Sequence, residues 1–313
     1  MEFEITWTAL LDDDPNDWTV ADSGTSEDLH AVTVVDDHRG VAGGADGTVL
    51  VSRDGGETWE AAEGSWSADT FIAAGFAADD GWMFGANGTL LTSTDGGVTW
   101  GESEFPTDAF PGDMFFPGDM FVPGAGPIVV GEVDGGGGIM IERDRNWEPT
   151  HETEQPLTAV HFANDQQGMA VGSDTVVTTG DGGETWIPGD SFFPGDMFSP
   201  RGVHFAEDGQ GWPVAVGETA EAGGAIFIDD DEARAVWEGP EPLSAVSFAD
   251  HQRGWAVGEG IVLATTDGGQ SWSEEAIPFR GSWLSDIDAS ATFGLNLVVG
   301  DGGTIFFTGS GPS

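Results

Sequence analysis

Short apolar runs separated by Gly- and Asp-rich turns follow one another along the chain. Examples are LTAVHFAND (157–165), GMAVG (168–172) and TVLVS (48–52). Runs of this kind, rich in β-branched residues and bounded by turn residues, are typical of β-strands. Nowhere do apolar residues recur at the spacing of an amphipathic helix. The pattern therefore predicts an all-β protein made of many short strands.

One turn motif returns four times at a regular interval. The copies are SRDGGETW (52–59), STDGGVTW (93–100), TGDGGETW (179–186) and TTDGGQSW (265–272), and their aspartates are separated by 41, 86 and 86 residues. Because 86 is twice 43, each long interval should hold a degenerate copy, and GIMIERDRNW (138–147) and GAIFIDDDEARAVW (224–237) stand there. GTIFFTGS (303–310) aligns with GTVLVSRD (47–54). Seven units of about 43 residues predict a seven-bladed β-propeller of four-stranded antiparallel blades.

The repeats divide a single propeller domain, residues 1–313, into blades. Their approximate bounds are 27–66, 67–109, 115–154, 155–192, 199–240, 241–281 and 282–313. The seventh unit lacks a fourth strand, and FEITWTALL (3–11) precedes the first blade. We expect this segment, within residues 1–11, to complete the seventh blade, because closing the ring removes open sheet edges.

The repeated turn, an Asp box, lies between the third and fourth strands of a blade. Its aspartate is expected to accept backbone N–H groups, its glycines to take positive φ, and its tryptophan to be buried in its own blade. Turn chemistry explains each position, so we assign these residues a structural role and expect no catalytic residue among them. They are Asp54, Trp59, Asp95, Trp100, Asp181, Trp186, Asp267 and Trp272.

Charge adds information about the environment of the protein. The chain has 56 acidic residues and 8 basic ones, all Arg, for a formal net charge of −48. Concentrated salt screens such self-repulsion, so the composition indicates a halophilic protein adapted to a high-salt interior. Nucleic acid is not an expected partner, because no basic patch is available for phosphates. The N-terminus lacks an export signal and no apolar run is long enough to span a membrane, so we expect a cytoplasmic protein without membrane insertion.

Two repeats resemble a known family. AVHFANDQQGMAVGSDTVVTTGDGGETW (159–186) and AVSFADHQRGWAVGEGIVLATTDGGQSW (245–272) are similar to repeats of the photosystem II stability/assembly factors, a branch of the Asp-box, or BNR-type, propellers. The resemblance implies a seven-bladed, non-enzymatic propeller that binds a membrane-protein subunit during assembly. Photosynthetic members also carry an Arg-rich surface patch, whereas the eight Arg of this chain are spread over several blades.

The absence of Tyr and Cys excludes several enzymatic functions. Asp-box sialidases use a Tyr nucleophile, and the chain has no Tyr. The absence of Cys removes disulfides, thiolate metal sites and Cys nucleophiles. A carbohydrate-active propeller, either a glycoside hydrolase with two carboxylates or a lectin, remains the alternative function. His161 and His204 share a position in blades 4 and 5, where they lie near the channel, but they lack a clear third ligand. We therefore expect local partners for them, and no metal or cofactor.

The hexapeptide FPGDMF occurs at 110–115, 116–121 and 193–198. Propeller order places the first and third copies in crossovers that connect the fourth strand of one blade to the first strand of the next. The second copy is expected to enter the first strand of blade 3, with Met120 and Val122 at apolar positions. These crossovers share one face with the turns between second and third strands. Pro-Gly-Asp suits a β-turn from which the flanking Phe and Met project.

These loops suggest two alternatives. In the first, they bind a protein partner on this face, such as a subunit of a membrane complex; in the second, they fold inward and fill space between blades or cap the channel. We expect the chain to be a non-catalytic interaction scaffold that resembles an assembly factor; its oligomeric state is not indicated. The candidate partner-binding residues are Phe110, Met114, Phe115, Phe192, Phe193, Met197 and Phe198.

Overall fold

The computed structural model describes most of the chain. The described residues are 18–106, 115–123, 126–191, 193, 198–205, 212–220, 223–230, 233–278, 281–290 and 292–309. They form seven β-sheets, which confirms the predicted seven-bladed propeller. No helix among these residues is long and apolar enough to cross a membrane.

Each sheet is a blade whose strands, A to D, run outward in chain order. Blade 1 contains β2 to β5, and blades 2 to 6 begin with β7, β11, β15, β19 and β23; blade 7 contains β27 to β29 and β1. The strands are β1 Thr19–Val20, β2 Leu29–Val34, β3 Gly40–Gly44, β4 Val49–Ser52, β5 Glu60–Ala61, β6 Glu63–Ser65, β7 Phe71–Ala77, β8 Asp80–Gly85, β9 Leu90–Ser93, β10 Thr99–Ser103, β11 Phe115–Phe121, β12 Ile128–Val133, β13 Gly136–Arg143, β14 Asn146–Thr153, β15 Leu157–Phe162, β16 Gly168–Gly172, β17 Thr175–Thr179, β18 Ile187–Pro188, β19 Phe198–Phe205, β20 Pro213–Thr219, β21 Gly223–Asp229, β22 Ala233–Gly239, β23 Leu243–Phe248, β24 Gly254–Gly258, β25 Ile261–Thr265, β26 Ser273–Glu274, β27 Leu284–Ser290, β28 Leu295–Gly300 and β29 Thr304–Gly309.

The ring closes in blade 7 through an N-terminal strand, as predicted. The strand in the described structure is β1, which pairs antiparallel with β29 through Thr19 and Phe307 and through Val20 and Phe306. The segment predicted for this role, 3–11, lies outside the described residues. Trp18 anchors β1, because its buried indole donates a hydrogen bond to Glu275 Oε2 at 2.8 Å. The anchoring residue is thus a tryptophan beyond the predicted segment.

Blade 2 carries one strand that the repeat pattern did not predict. β6 lies at its outer edge and runs parallel to β10. The sheet therefore has five strands. The chain reaches this position directly after blade 1, where the indole N–H of Trp66 donates to the carbonyl of Gly47 at 2.9 Å.

The Asp boxes brace the turn between strands C and D. In the second box, Asp95 accepts hydrogen bonds from the backbone N–H and the hydroxyl of Thr99 and from the hydroxyl of Ser93. Trp100 is buried, and its Nε1 donates to the Gly97 carbonyl at 2.9 Å. Gly97 has φ of 83°, a conformation that favours glycine. The hydrogen bonds to Asp95 also lower the pKa of its carboxyl group, although burial opposes them.

Strand A is the innermost strand of every blade. The inner strands β2, β7, β11, β15, β19, β23 and β27 contact one another in this order, and β27 contacts β2. All seven carry a register shift, which lies between Leu157 and Ala159 in β15 and between Pro117 and Asp119 in β11. The shift therefore recurs in every inner strand and fixes which side chains border the channel.

Candidate binding site in the central channel

The inner strands surround a channel with a cavity volume of about 380 Å³. In five blades, the first residue after the register shift and the residue two positions later both border this cavity, as Asp286 and Asp288 do in blade 7. In blades 1 and 4 only the second of these residues borders it, Thr33 and His161. The repeat therefore presents side chains to the channel in two tiers, whose chemistry differs from blade to blade.

Polar side chains in these tiers connect neighbouring blades. Each accepts a hydrogen bond from a backbone N–H on strand A of the next blade, so it satisfies a donor that strand pairing leaves open. We call these side chains the ring acceptors. They are Asp119 (to Val160), His161 (to Phe205), His204 (to Phe248), Ser247 (to Ala289), Asp286 (to Val32) and Asp288 (to Val34), at 2.8–3.5 Å.

The two imidazoles are stacked against each other. The ring centroids of His161 and His204 lie 3.7 Å apart, with Phe121 packed against His161. Burial lowers the pKa of His204 to about 4. Burial and the neighbouring His204 hold the pKa of His161 well below its usual value. Both rings are therefore neutral near pH 7. The expectation that these residues have local partners agrees with their bonds to Phe205 and Phe248.

Three carboxyl groups share the channel with the imidazoles. Burial raises the pKa of Asp119 to about 6. Burial, with the charge of Asp119 as a further contribution, raises the pKa of Asp286 to about 8. Burial also raises the pKa of Asp288. In Asp119 and in Asp286, both oxygens accept backbone N–H groups, one from the next residue and one from the next blade. These contacts give the carboxyls a structural role in joining blades.

The channel opens on the face of the D–A crossovers into a mouth with a cavity of about 360 Å³. Arg201 lies here, with its guanidinium carbon 5.4 Å from the centre of the Trp283 ring and its Nη2 2.8 Å from Glu218 Oε2. Ser244 also borders both the mouth and the channel. Sequence reasoning missed Arg201, in the first half of β19, and Trp283, directly before β27. Both positions lie near the end of strand A that follows a D–A crossover, which already indicates this face.

The second and third copies of the hexapeptide lie in different parts of the fold. The second copy forms β11, as predicted, with Met120 buried and Val122 packed against the same cluster. In the third copy, Phe193 and Phe198 are 5% and 2% exposed and pack together between blades 4 and 5. They offer no surface to a partner, so for this pair the alternative of filling space between blades holds. Phe115 begins β11, and nothing is described of its side chain. Phe110, Met114, Phe192 and Met197 lie outside the described residues.

Two further features of the described structure resemble sites. A cavity of about 530 Å³ between blades 2 and 3 is bordered by Trp82, Trp147 and Glu142, and burial raises the pKa of Glu142. Within the described residues, one group of side chains has metal-ligand spacing, Asp36 with Asp37 and His38 in the A–B turn of blade 1. Asp36 already forms an ion pair with Arg39 there.

Known structures share this architecture. A structure of YCF48 bound to D1 peptide has a TM-score of 0.74 at 19% identity and covers 94% of this chain and 97% of that chain. YCF48 from Cyanidioschyzon merolae has a TM-score of 0.70 at 20% identity, with 94% and 98% covered. The WD40 propeller domain of Doa1 has a TM-score of 0.69 at 11% identity, with 93% and 96% covered. At these identities the similarity establishes the fold alone.

Sequence comparison adds the family. No curated protein matches the chain. The family model of the photosynthesis system II assembly factor YCF48 matches residues 12–115, which include blade 1, blade 2 and two Asp boxes. Over these residues, about a third of the chain, the sequence is similar to the BNR-type propeller family of the photosystem II assembly factor YCF48.

Proposed function

We propose that the protein is a non-catalytic interaction scaffold that binds a protein partner on the face where the channel opens. The observation that carries this proposal is the pairing of Trp283 with Arg201 at the mouth. Trp and Arg are the residues that most often dominate the binding energy of protein interfaces. Here they border a concave, partly apolar surface that also contains Ile72 and Thr158.

The family suggests the kind of partner. YCF48 has been observed with a D1 peptide bound, so we propose a segment of a membrane-complex subunit for this chain as well. The proposed segment contacts Trp283 with an apolar side chain and Arg201 with an acidic one. We therefore propose that the partner docks at the mouth of the channel and not at Phe193 and Phe198 of the third hexapeptide, which are buried.

Replacing Trp283 with Ala tests the docking face. We expect the variant to bind the D1 peptide at least about tenfold more weakly than the wild type, since a hot-spot residue contributes about 2 kcal/mol or more. Binding is measured by calorimetry in concentrated KCl, alongside quantitative pull-down from a native high-salt extract. The backbone carbonyl of Trp283, which accepts from Asp301 N–H, is retained in the variant.

Ile187→Ala is the matched control, because Ile187 is 64% exposed on the outermost strand of blade 4. It should bind like the wild type. Equal binding by the wild type and the Trp283 variant, with both folded, would rule out docking at this mouth. A saccharide that binds while protein partners do not would favour the carbohydrate-active alternative, for which the indoles and Glu142 of the cavity between blades 2 and 3 are the supporting observation.

We also propose that the protein works in a high-salt cytoplasm, as its net charge of −48 and lack of Lys suggest. Its free energy of unfolding should then fall by about 2 kcal/mol or more when KCl is lowered from about 3 M to about 0.1 M, because the Debye length grows to about 10 Å and the surface carboxylates repel one another. Denaturant titration at fixed KCl concentrations measures this. A stability that is independent of KCl would contradict the proposed adaptation.

A further inference from the structure

Blade 3 lacks a regular Asp box, and its contact with blade 2 differs for this reason. In the four blades with a box, the tryptophan of the box donates its indole N–H to the carbonyl of the second box glycine. That glycine packs against an aliphatic side chain in strand B of the preceding blade, as Gly97 does against Val41. Blade 3 has the two-residue turn Asp144–Arg145 in place of the box. The degenerate repeat therefore leaves the junction between blades 2 and 3 without this packing.

The cavity of about 530 Å³ lies at this junction, with Trp82 and Trp147 on its border. Trp147 occupies the position of the box tryptophan, but its Nε1 has no hydrogen-bonding partner within the described residues. In this part of the chain, the unpartnered polar side-chain atoms that are closed off from solvent belong to His204 and Ser244. Trp147 Nε1–H is therefore an accessible donor.

The indole of Trp82 is uncovered, whereas an equivalent indole elsewhere is covered. Trp82 and Trp255 lie in the strand B sequences GWMFG and GWAVG, each in a blade that precedes one without a complete Asp box. Trp18 packs edge-to-face against Trp255, and Glu275 accepts an indole N–H from both. Trp255 is consequently 5% exposed, whereas Trp82 is only partly buried. Because no aromatic ring of the described chain pairs with Trp82, its surface is open to a molecule in the cavity.

Arg145 borders the same cavity in a backbone conformation that favours glycine. Its φ is 66°. Each of the six other Arg residues that the structure describes forms an ion pair, whereas Arg145 forms none within 4.0 Å. Residues that a fold retains in strained conformations cluster at functional sites. Since no ion pair of the chain accounts for this placement, the guanidinium is available to a ligand.

The cavity border combines donors with acceptors and carries both signs of charge. Glu142 and Asp80 supply acceptor oxygens, while Arg145 and Trp147 supply donors. Burial raises the pKa of Glu142, and hydrogen bonding from Trp82 and the charge of Arg145 oppose this. An anion would be repelled by the acids, and a cation would leave both donors without an acceptor. A neutral molecule with several hydroxyl groups serves both kinds of partner, and the apolar face of a sugar ring suits an indole.

We propose that the cavity between blades 2 and 3 binds a neutral saccharide. The apolar face of one pyranose ring covers Trp82, and its hydroxyl groups bond with Arg145, Trp147 and Glu142. The volume of about 530 Å³ lies within the range of small-molecule sites, roughly 300–1,000 Å³. The site requires no bond cleavage, and it shares no residue with the mouth of the channel. It is therefore an addition to the proposed docking face and does not depend on it.

Saturation-transfer NMR in concentrated KCl at pH 7 tests the ligand class. The probes are the methyl pyranosides of glucose, galactose and mannose, with choline and indole for comparison. At least one glycoside should show saturable binding, and it should bind more tightly than choline or indole, which each satisfy only part of the site. The absence of binding by all three glycosides would overturn the proposal. Tighter binding of choline or of indole than of every glycoside would overturn it in favour of a cation site or an aromatic site.

Arg145→Gly separates binding from folding. Glycine adopts a φ of 66° without strain, so the variant should unfold at the wild-type temperature or above it. It should bind the glycoside about tenfold more weakly, because it loses hydrogen bonds from a charged group, and it should bind the D1 peptide like the wild type. Asp134→Gly is the matched control, since Asp134 is exposed, has φ of 45° and does not border the cavity. Unchanged glycoside affinity in Arg145→Gly would overturn the assignment of the saccharide to this cavity.

Discussion

Phe198→Ala should lower the free energy of unfolding by about 3–5 kcal/mol, the usual cost of truncating a buried Phe. Phe198 is 2% exposed and begins the innermost strand of blade 5. Its ring lies 4.8 Å from that of Phe227 in an edge-to-face arrangement and 5.2 Å from that of Phe193. Removing the ring leaves a cavity between blades 4 and 5. Denaturant titration in concentrated KCl measures the loss.

Exposed Ile187 on blade 4 provides the comparison. Ile187→Ala should change the free energy of unfolding by no more than about 0.5 kcal/mol, as is usual for surface positions. If Phe198 were a surface anchor for a partner, Phe198→Ala would unfold like the wild type and lose binding only. A near-zero change in stability would therefore contradict the buried position and restore the docking alternative for the third hexapeptide.

Asp286→Asn should stabilise the protein increasingly as the pH rises. The folded-state pKa of Asp286 is about 8, and the ordinary value is 3.8. Between these two values the folded state holds a proton that the unfolded state has released, so the wild type loses stability as the pH rises through this range. Asn carries no charge and removes this loss. The gain should be complete above about pH 8 and absent below about pH 4.

The size of the gain follows from two opposing contributions. A shift of about four pKa units corresponds to roughly 5–6 kcal/mol, and water in the channel reduces this figure. Asn keeps one acceptor oxygen for Val32 N–H and loses the one that serves Ile287 N–H, which costs about 1 kcal/mol. We expect a net gain of about 2–4 kcal/mol at pH 9.

The difference between variant and wild type, measured by denaturant titration at several pH values, isolates Asp286 from the other acids. Asp301→Asn, at an exposed position, is the matched control. A difference for Asp286→Asn that does not change between pH 4 and pH 9 would show that this carboxyl is ionised in the folded protein throughout.

The architecture was predictable because it is encoded in local signals. The Asp boxes fix the turn between strands C and D through contacts within a few residues, such as those of Asp95 with Ser93 and Thr99. Their spacing, together with the degenerate copies between them and the final GTIFFTGS, gives the number of blades. Ring closure by an N-terminal strand followed from the missing fourth strand of blade 7, although β1 lies beyond the predicted segment.

The channel was not predictable in the same way, because its chemistry depends on neighbours far apart in sequence. Asp286 meets Val32 across the ring closure, 254 residues away. Nothing near Asp286 in the sequence distinguishes it from the other acids of a chain that contains 56. The sequence did contain one signal for Asp286: it is a charged residue at a strand A position that is Ala in several other blades. His161 and His204 were recognised by this kind of comparison.

The heptapeptide FFPGDMF shows how strongly tertiary context decides local structure. It occurs at 115–121 and again at 192–198. In the first case it forms the whole of strand β11, whereas in the second its last residue, Phe198, only begins β19. The same seven-residue sequence therefore takes two different positions relative to strand A of its blade, because the partner strand and the length of the preceding connection differ.

Strand β11 also has a near-copy of itself directly before it. Residues 109–115 read AFPGDMF, and differ from residues 115–121 only in their first letter. A slip of six residues, an even number, would keep every side chain on its present side of the sheet. It would place Asp113 where Asp119 now accepts the N–H of Val160, while one connecting loop shortens and the other lengthens by six residues. The sequence of blade 3 thus contains two nearly identical segments that could form its inner strand. The tandem duplication therefore makes the register of this strand degenerate, whereas the neighbouring blades have a single copy of their inner strand.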